Sequence, residues 1–138
     1  MSYKIKKHVK SSWIKQASPE SKSKPWGKEI SWGGFSGVHG KILYISKGHS
    51  TSLKYHKLKT EVLFVLEGKV SVTYGDELSI SDKIGHPMRE SVIEAGGTMF
   101  IQSNCPYRIT AVEDCKIIEI GDNMSDIPIR IEDKYGRT

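Results

Sequence analysis

The chain has 138 residues, of which 37% are hydrophobic and 27% charged, and its formal net charge is +5. That is enough apolar material for one globular domain with a core, and it makes the body globular rather than disordered or membrane-spanning. No apolar run reaches the about 20 residues a membrane-crossing helix needs. The start, MSYKIKKHVKSSW, has lysines but no apolar stretch behind them to make a signal peptide. A cytoplasmic protein with no membrane partner is expected.

The positive charge belongs to the beginning of the chain. Seven lysines (Lys4, Lys6, Lys7, Lys10, Lys15, Lys22, Lys24) and one acid, Glu20, precede Trp26, which leaves 14 basic and 15 acidic residues beyond it. Residues 1–23 therefore read as a basic N-terminal arm and residues 24–138 as the folded domain. A near-neutral body without a recognition motif gives no ground to expect a nucleic-acid partner.

Beyond Trp26 the pattern alternates strand and turn. Residues 42–45 form a short apolar run that ends at Lys47-Gly48. Residues 50–56 alternate, with Ser52, Lys54 and His56 on one face and Leu53 and Tyr55 on the other. Residues 61–66, EVLFVL, are nearly continuous and stop at Glu67-Gly68. Residues 70–74 alternate again. A polar stretch with Gly85-His86-Pro87 follows, then strands at 91–94 and 98–102 about the turn Ala95-Gly96-Gly97. Residues 107–112 and 115–120 read as a last hairpin turning at Glu113-Asp114. That hairpin pairs Cys115 with Val112 and leaves Cys105 far down the ladder, so no disulfide is expected.

Many short strands between glycine-bearing turns, with no amphipathic helix, indicate an all-β sandwich or barrel. The EVLFVL run is apolar on both faces, so both should be covered. One face fills the barrel; a second sheet or a second subunit must cover the other, which makes a homodimer plausible.

The segment SLKYHKLKTEVLFVLEG raises the question of chemistry. His56 and Glu61 are good metal ligands five residues apart, but Lys54, on the same strand face as His56, is an ammonium at neutral pH. The order Gly48, Lys54, His56, Glu61, Gly68 resembles the first motif of the cupins. Three blocks resemble more closely the cupin domain of type II mannose-6-phosphate isomerases, often fused to a mannose-1-phosphate guanylyltransferase. KPWG (24–27) is similar to the RPWG that opens that domain. SLKYHKLKTE resembles its LSLQxHxxRxE segment, and IPIRIEDKYGR (127–137) its closing IVRFEDxYGR. The resemblance spans residues 24–137 and contains no guanylyltransferase portion, so any implied activity concerns the sugar phosphate.

This resemblance implies a cupin double-stranded β-helix, or jelly-roll, barrel. It also implies an aldose–ketose isomerase acting on a sugar phosphate, with Lys54, His56, Glu61 and Tyr107 at the barrel centre. Lys41, Lys59, Arg130 and Arg137 are the candidates for phosphate contacts, because cations with several N–H donors suit phosphate oxygens. The departures matter too. Cupins in general have histidine at the place of Lys54, and the isomerase group has glutamine. The second cupin motif, P-x-G-x-x-H, is here Gln102-Ser103-Asn104-Cys105-Pro106-Tyr107, so Tyr107 stands in the place of the last histidine.

His56 and Glu61 are the metal ligands the resemblance carries over. A divalent metal is nonetheless disfavoured, since an ammonium repels a dication and a phenol must lose a proton with pKa about 10 to bind one. The expectation is that Lys54 supplies the missing charge and pairs with Glu61, which frees His56 and Tyr107 for sugar hydroxyls or proton transfer. Two alternatives stay open: a non-catalytic cupin that binds a sugar phosphate or sugar nucleotide, and a metal-free small-molecule epimerase. His39 and His86 read as loop residues, with His86 able to reach over the barrel mouth, and His49 as leading a strand. Trp26 and Trp32 are candidates for stacking on a sugar face.

Overall fold

A computed structural model of the chain describes residues 14–138; the first half of the basic arm lies outside the described residues. The described residues form eleven strands: β1 (Glu20–Lys24), β2 (Gly27–Phe35), β3 (Val38–Ile45), β4 (Leu53–Tyr55), β5 (Glu61–Glu67), β6 (Lys69–Tyr74), β7 (Arg89–Glu94), β8 (Thr98–Ile101), β9 (Tyr107–Ala111), β10 (Cys115–Gly121) and β11 (Ile129–Glu132). No helix among the described residues is long and apolar enough to cross a membrane.

Two antiparallel sheets face each other. One has six strands in the order β1-β2-β3-β10-β5-β8, the other five in the order β11-β4-β9-β6-β7. Strands next to each other in sequence often change sheet, as in a jelly roll. The core is the interdigitated inner faces: Leu43, Ile45, Leu63, Val65 and Ile117 from the first sheet against Val70, Val72, Ile109 and Ala111 from the second. These are alternate residues of their strands, as the two-residue period of a pleated strand requires.

Two readings of the sequence need correction. Residues 107–112 and 115–120 are not a hairpin. β9 pairs with β6 and β4, whereas β10 pairs with β3 and β5, so Glu113-Asp114 carries the chain across from one sheet to the other. Both strands alternate cleanly, and alternation states which face is buried without saying which strand is the partner. Cys105 is half-buried, Cys115 is buried, and both are free. The second correction concerns His39, read as a loop residue. β2 and β3 form a hairpin turning at Ser36-Gly37, both with positive φ (57° and 81°), the backbone a tight two-residue turn needs. A Cβ at Gly40 would run into the Trp32 ring, so the missing side chain seats an indole across the hairpin. His39 is thereby a strand residue and not a loop residue.

The folded body also begins earlier than residue 24. β1 pairs with β2 from Glu20↔Ser31 to Lys24↔Gly27, which draws Lys22 and Lys24 into the sheet. The long connection 75–88 is two helical turns, with Asp82 N–H donating to Leu78 O and His86 N–H to Asp82 O, both at 2.9 Å. His86 Nδ1 lies 2.8 Å from Asp76 Oδ2 within this loop, so the histidine is tied there and does not reach over the barrel.

Candidate functional site

The inner faces change character along the barrel. On β3 the inward side chains are Ile45 and Leu43, then Lys41 and His39; on β10, Cys115 and Ile117, then Glu119 and Gly121; on β5, Val65 and Leu63, then Glu61. The register sets His39, Gly121 and Glu61 abreast on three neighbouring strands, with Glu119 two residues from Gly121 on the same face. A Cβ at Gly121 would collide with His39 Nε2, so this glycine makes the room in which the imidazole leans toward Glu61. The opposite sheet supplies Lys54, Tyr107 and Arg130, with Lys54 facing Tyr107 on one side and Arg130 on the other in the pairing.

One hydrogen bond joins the sheets here: Tyr107 Oη–H donates to Glu61 Oε1 at 2.7 Å. His56 Nε2 lies 3.9 Å from the same oxygen, and its Nδ1 3.7 Å from Asp126 Oδ2. Asp126 is itself held by the backbone N–H groups of Leu58 and Lys59. The other Glu61 oxygen, Oε2, lies 3.9 Å from His39 Nε2, and His39 Nδ1 lies 3.7 Å from Glu119 Oε2. The expected Lys54–Glu61 ion pair is not formed. The ammonium rests over the Tyr107 ring, 5.0 Å from its centroid, because the phenol has taken the carboxylate's near oxygen.

Burial dominates the electrostatics. Desolvation, reinforced by Glu119, pushes the Glu61 carboxyl up to about 7. Burial drives His56 down to about 4, with Lys59 and Lys54 adding to it against the pull of Glu61. His39 falls to about 4 through burial and Lys59. Burial raises the Tyr107 phenol well above its ordinary value and lowers Lys54, whose ammonium end is enclosed although the residue as a whole is half-buried. Glu29 contrasts with Glu61: burial works against its charge, but Lys41 at 3.3 Å and Lys24 outweigh it and hold the carboxyl below its usual value. Tyr107 donates its proton to Glu61 and has an ammonium over its ring, which does not suit the phenol as a metal ligand.

Lys54, His56, Glu29, Glu61 and Glu119 line a cavity of about 270 Å³, together with Lys22, Lys24, Trp26, Lys41, Lys59, Arg130 and Arg137. Seven cationic side chains face three carboxylates, Glu29, Glu61 and Glu119. Seven of the eight residues singled out from the sequence line this one space and Tyr107 meets it only through Glu61, but the seven are not equally free. Arg137 is committed to Asp133 through Nε and Nη2 at 2.8–3.2 Å, and Lys41 pairs with Glu29. Arg130 Nη1 donates to Thr138 O, while its buried Nε has no hydrogen-bond partner among the described residues. Trp26 is buried in the cavity wall, and Trp32 packs over Gly40 instead. Sequence reading missed His39 and Glu119. Glu119 was visible as the polar member of an inward series with Ile117; His39 was hidden by the glycines on both sides of its strand.

No protein-family model and no curated protein matches the sequence. Solved structures do match the fold. A Bacillus subtilis oxalate decarboxylase superposes with a TM-score of 0.70 at 16% identity, over 87% of this chain and 32% of that one. KdgF from Halomonas sp. gives 0.63 at 10% identity, over 75% of this chain and 86% of that one. A recombinant oxalate oxidase in complex with glycolate gives 0.60 at 18% identity, over 69% and 46%. The chain thus spans about a third of the decarboxylase, and the likeness is one of fold. The protein is an all-β, cupin-fold jelly-roll barrel with a polar cavity at one end.

Proposed function

We propose that this barrel binds a small sugar phosphate and interconverts its aldose and ketose forms, in the manner of a mannose-6-phosphate isomerase. The observation that carries this reading is the cavity's charge: seven cations against three carboxylates in about 270 Å³. Such an excess suits a dianionic phosphate, and the volume lies just below the roughly 300–1,000 Å³ of common small-molecule sites, which favours a hexose phosphate over a sugar nucleotide.

Arg130, with its unpartnered Nε, Lys59 and Lys41 hold the phosphate. Lys54 donates to the carbonyl oxygen and stabilises the negative charge that develops there. His56, uncharged at neutral pH, accepts the proton from C2 of the aldose and returns it to C1, while Lys54 gives a proton to O1 as the enediol forms and takes up the O2 hydroxyl proton as the ketose carbonyl forms. Tyr107, behind the cavity wall, holds Glu61 in place through their hydrogen bond, and Glu61 meets the sugar hydroxyls. A binding-only reading has one observation in its favour: the Tyr107–Glu61 bond ties up the phenol and the carboxyl with the highest pKa in the site.

Incubation with mannose 6-phosphate, with product followed in a coupled assay, separates the two. Turnover that is lost in both Lys54→Ala and His56→Ala supports the isomerase. Thermal stabilisation by the sugar phosphate without turnover supports the binder, and neither effect would refute both.

A further inference from the structure

We infer that His39, Glu61 and Glu119 form a binding site for a first-row divalent cation, which shares Glu61 with the motif positions and takes its other two ligands from the neighbouring strands β3 and β10. One donor atom from each residue lies within 4.8 Å of the other two, and all three residues are buried. Carboxylates close together are not a site by themselves; His39 is what distinguishes this one. It is 3% exposed, and neither ring nitrogen has a hydrogen-bond partner among the described residues. A buried imidazole without a partner is costly, and metal coordination is one of the few ways to satisfy it.

The backbone is shaped to the same end. Gly121 sits between His39 and Glu61 in the register, and any side chain there would displace the imidazole. Glu61 divides its two oxygens: Oε1 takes the Tyr107 proton on the cavity side, and Oε2 faces His39. Both carboxylates, when ionised, repel each other across a short distance, and a dication between them relieves that repulsion. Ligands on a tetrahedral ion at about 2.1 Å stand about 3.4 Å apart, so the trio contracts by about 1 Å on binding, within reach of side-chain adjustment.

One imidazole and two carboxylates are hard to borderline donors, suited to Mn(II), Fe(II) or Zn(II) rather than to soft ions. Glu61 and Glu119 also line the cavity, so a cation there is open to an incoming ligand oxygen. The inference goes beyond the proposed isomerase and does not depend on it, since the site is defined without any sugar.

The test is titration of chelator-treated full-length protein with Mn(II) alone, followed by calorimetry and by the loss of the free-ion paramagnetic resonance signal. Saturable binding of one ion per chain is expected. Affinity should fall at least about tenfold in His39→Ala and in Glu119→Gln. Gly121→Ala keeps every ligand but moves the imidazole, so it should weaken binding as well; circular dichroism checks the folding of each variant. Lys54→Met removes a nearby ammonium and should tighten binding. Absence of saturable binding to the folded wild type, or binding that folded His39→Ala and Glu119→Gln variants leave unchanged, would overturn the site. Mannose 6-phosphate turnover is measured separately, so failure of one reading leaves the other standing.

Discussion

Along β10 the inward side chains run Cys115, Ile117, Glu119, then Gly121, and the same strand passes from the apolar end of the barrel to the polar end. β3 and β5 make the same transition, from Leu43 to Lys41 and His39 and from Leu63 to Glu61. The backbone ladder is continuous across both ends, yet the physics differs. At the apolar end every inward group lowers the free energy by burial and packing. At the polar end imidazoles, carboxylates and ammonium groups are buried at a cost, with several hydrogen-bonding atoms left without partners. One end holds the sheets together; the other carries buried polar groups at a cost that the proposed ligand would offset.

That contrast sets the order of expected effects. Ile117→Ala, at 1% exposure between Val65 and Leu43, should cost about 2–5 kcal/mol in denaturant unfolding. Glu119→Leu, one rung further, should leave stability within about 1–2 kcal/mol of wild type or raise it, because replacing buried charge by apolar volume is often neutral or better. A loss as large as that of Ile117→Ala would erase the distinction between the two ends. In the isomerase reading, His56→Ala should lower turnover about 10²-fold or more while moving the melting temperature little.

The buried titratable groups sharpen the comparison through pH. His39 and His56 bind protons less well folded than unfolded, with values of about 4 against an ordinary 6.5, so their contribution to stability grows as pH rises from about 4 to 6.5. Glu61 works the other way: raised to about 7 from 4.5, it contributes stability below 4.5 that is lost as pH rises through 7. Two histidines outweigh one glutamate, so the melting temperature of chelator-treated protein should rise between pH 4.5 and 6.5. In His39→Leu the rise should be clearly smaller, and an unchanged profile would contradict the burial of a neutral imidazole.

The smallest effect concerns the outer face of the six-stranded sheet. Val62 and Phe64 are half-buried, Leu66 is exposed and Phe100 on the next strand is 81% exposed, so no layer among the described residues covers the second apolar face of EVLFVL. A second copy is the cover we propose. Sedimentation should show a dimer that Phe100→Glu weakens with little change in the fold; a monomeric wild type would count against it.

Much of this was legible in the chain. Alternation at residues 70–74 and 107–111 marked inward faces correctly, and the resemblance picked out Lys54, His56 and Glu61, which share one cavity with Lys41, Lys59, Arg130 and Arg137, whereas Tyr107 stands outside its lining. Periodicity could not tell that β9 and β10 belong to different sheets, because pairing is decided by the whole barrel and not by either strand. Nor could it place His39. It stands next to Gly40 and reads locally as a loop residue, whereas the β2–β3 pairing, with Trp32 packed into the space at Gly40, makes it a strand residue. The pairing of Lys54 was misjudged for a similar reason: charge favours Glu61, but the phenol of Tyr107 reaches that oxygen first.

The most direct measurement is calorimetric titration of the purified protein with mannose 6-phosphate, set against unphosphorylated mannose and repeated in Arg130→Ala. Saturable binding that requires the phosphate, weakens with added salt and falls at least about tenfold without the Arg130 guanidinium is the expected result. Equal affinity for sugar and sugar phosphate, or no binding of either, would contradict a cavity built to hold an anion.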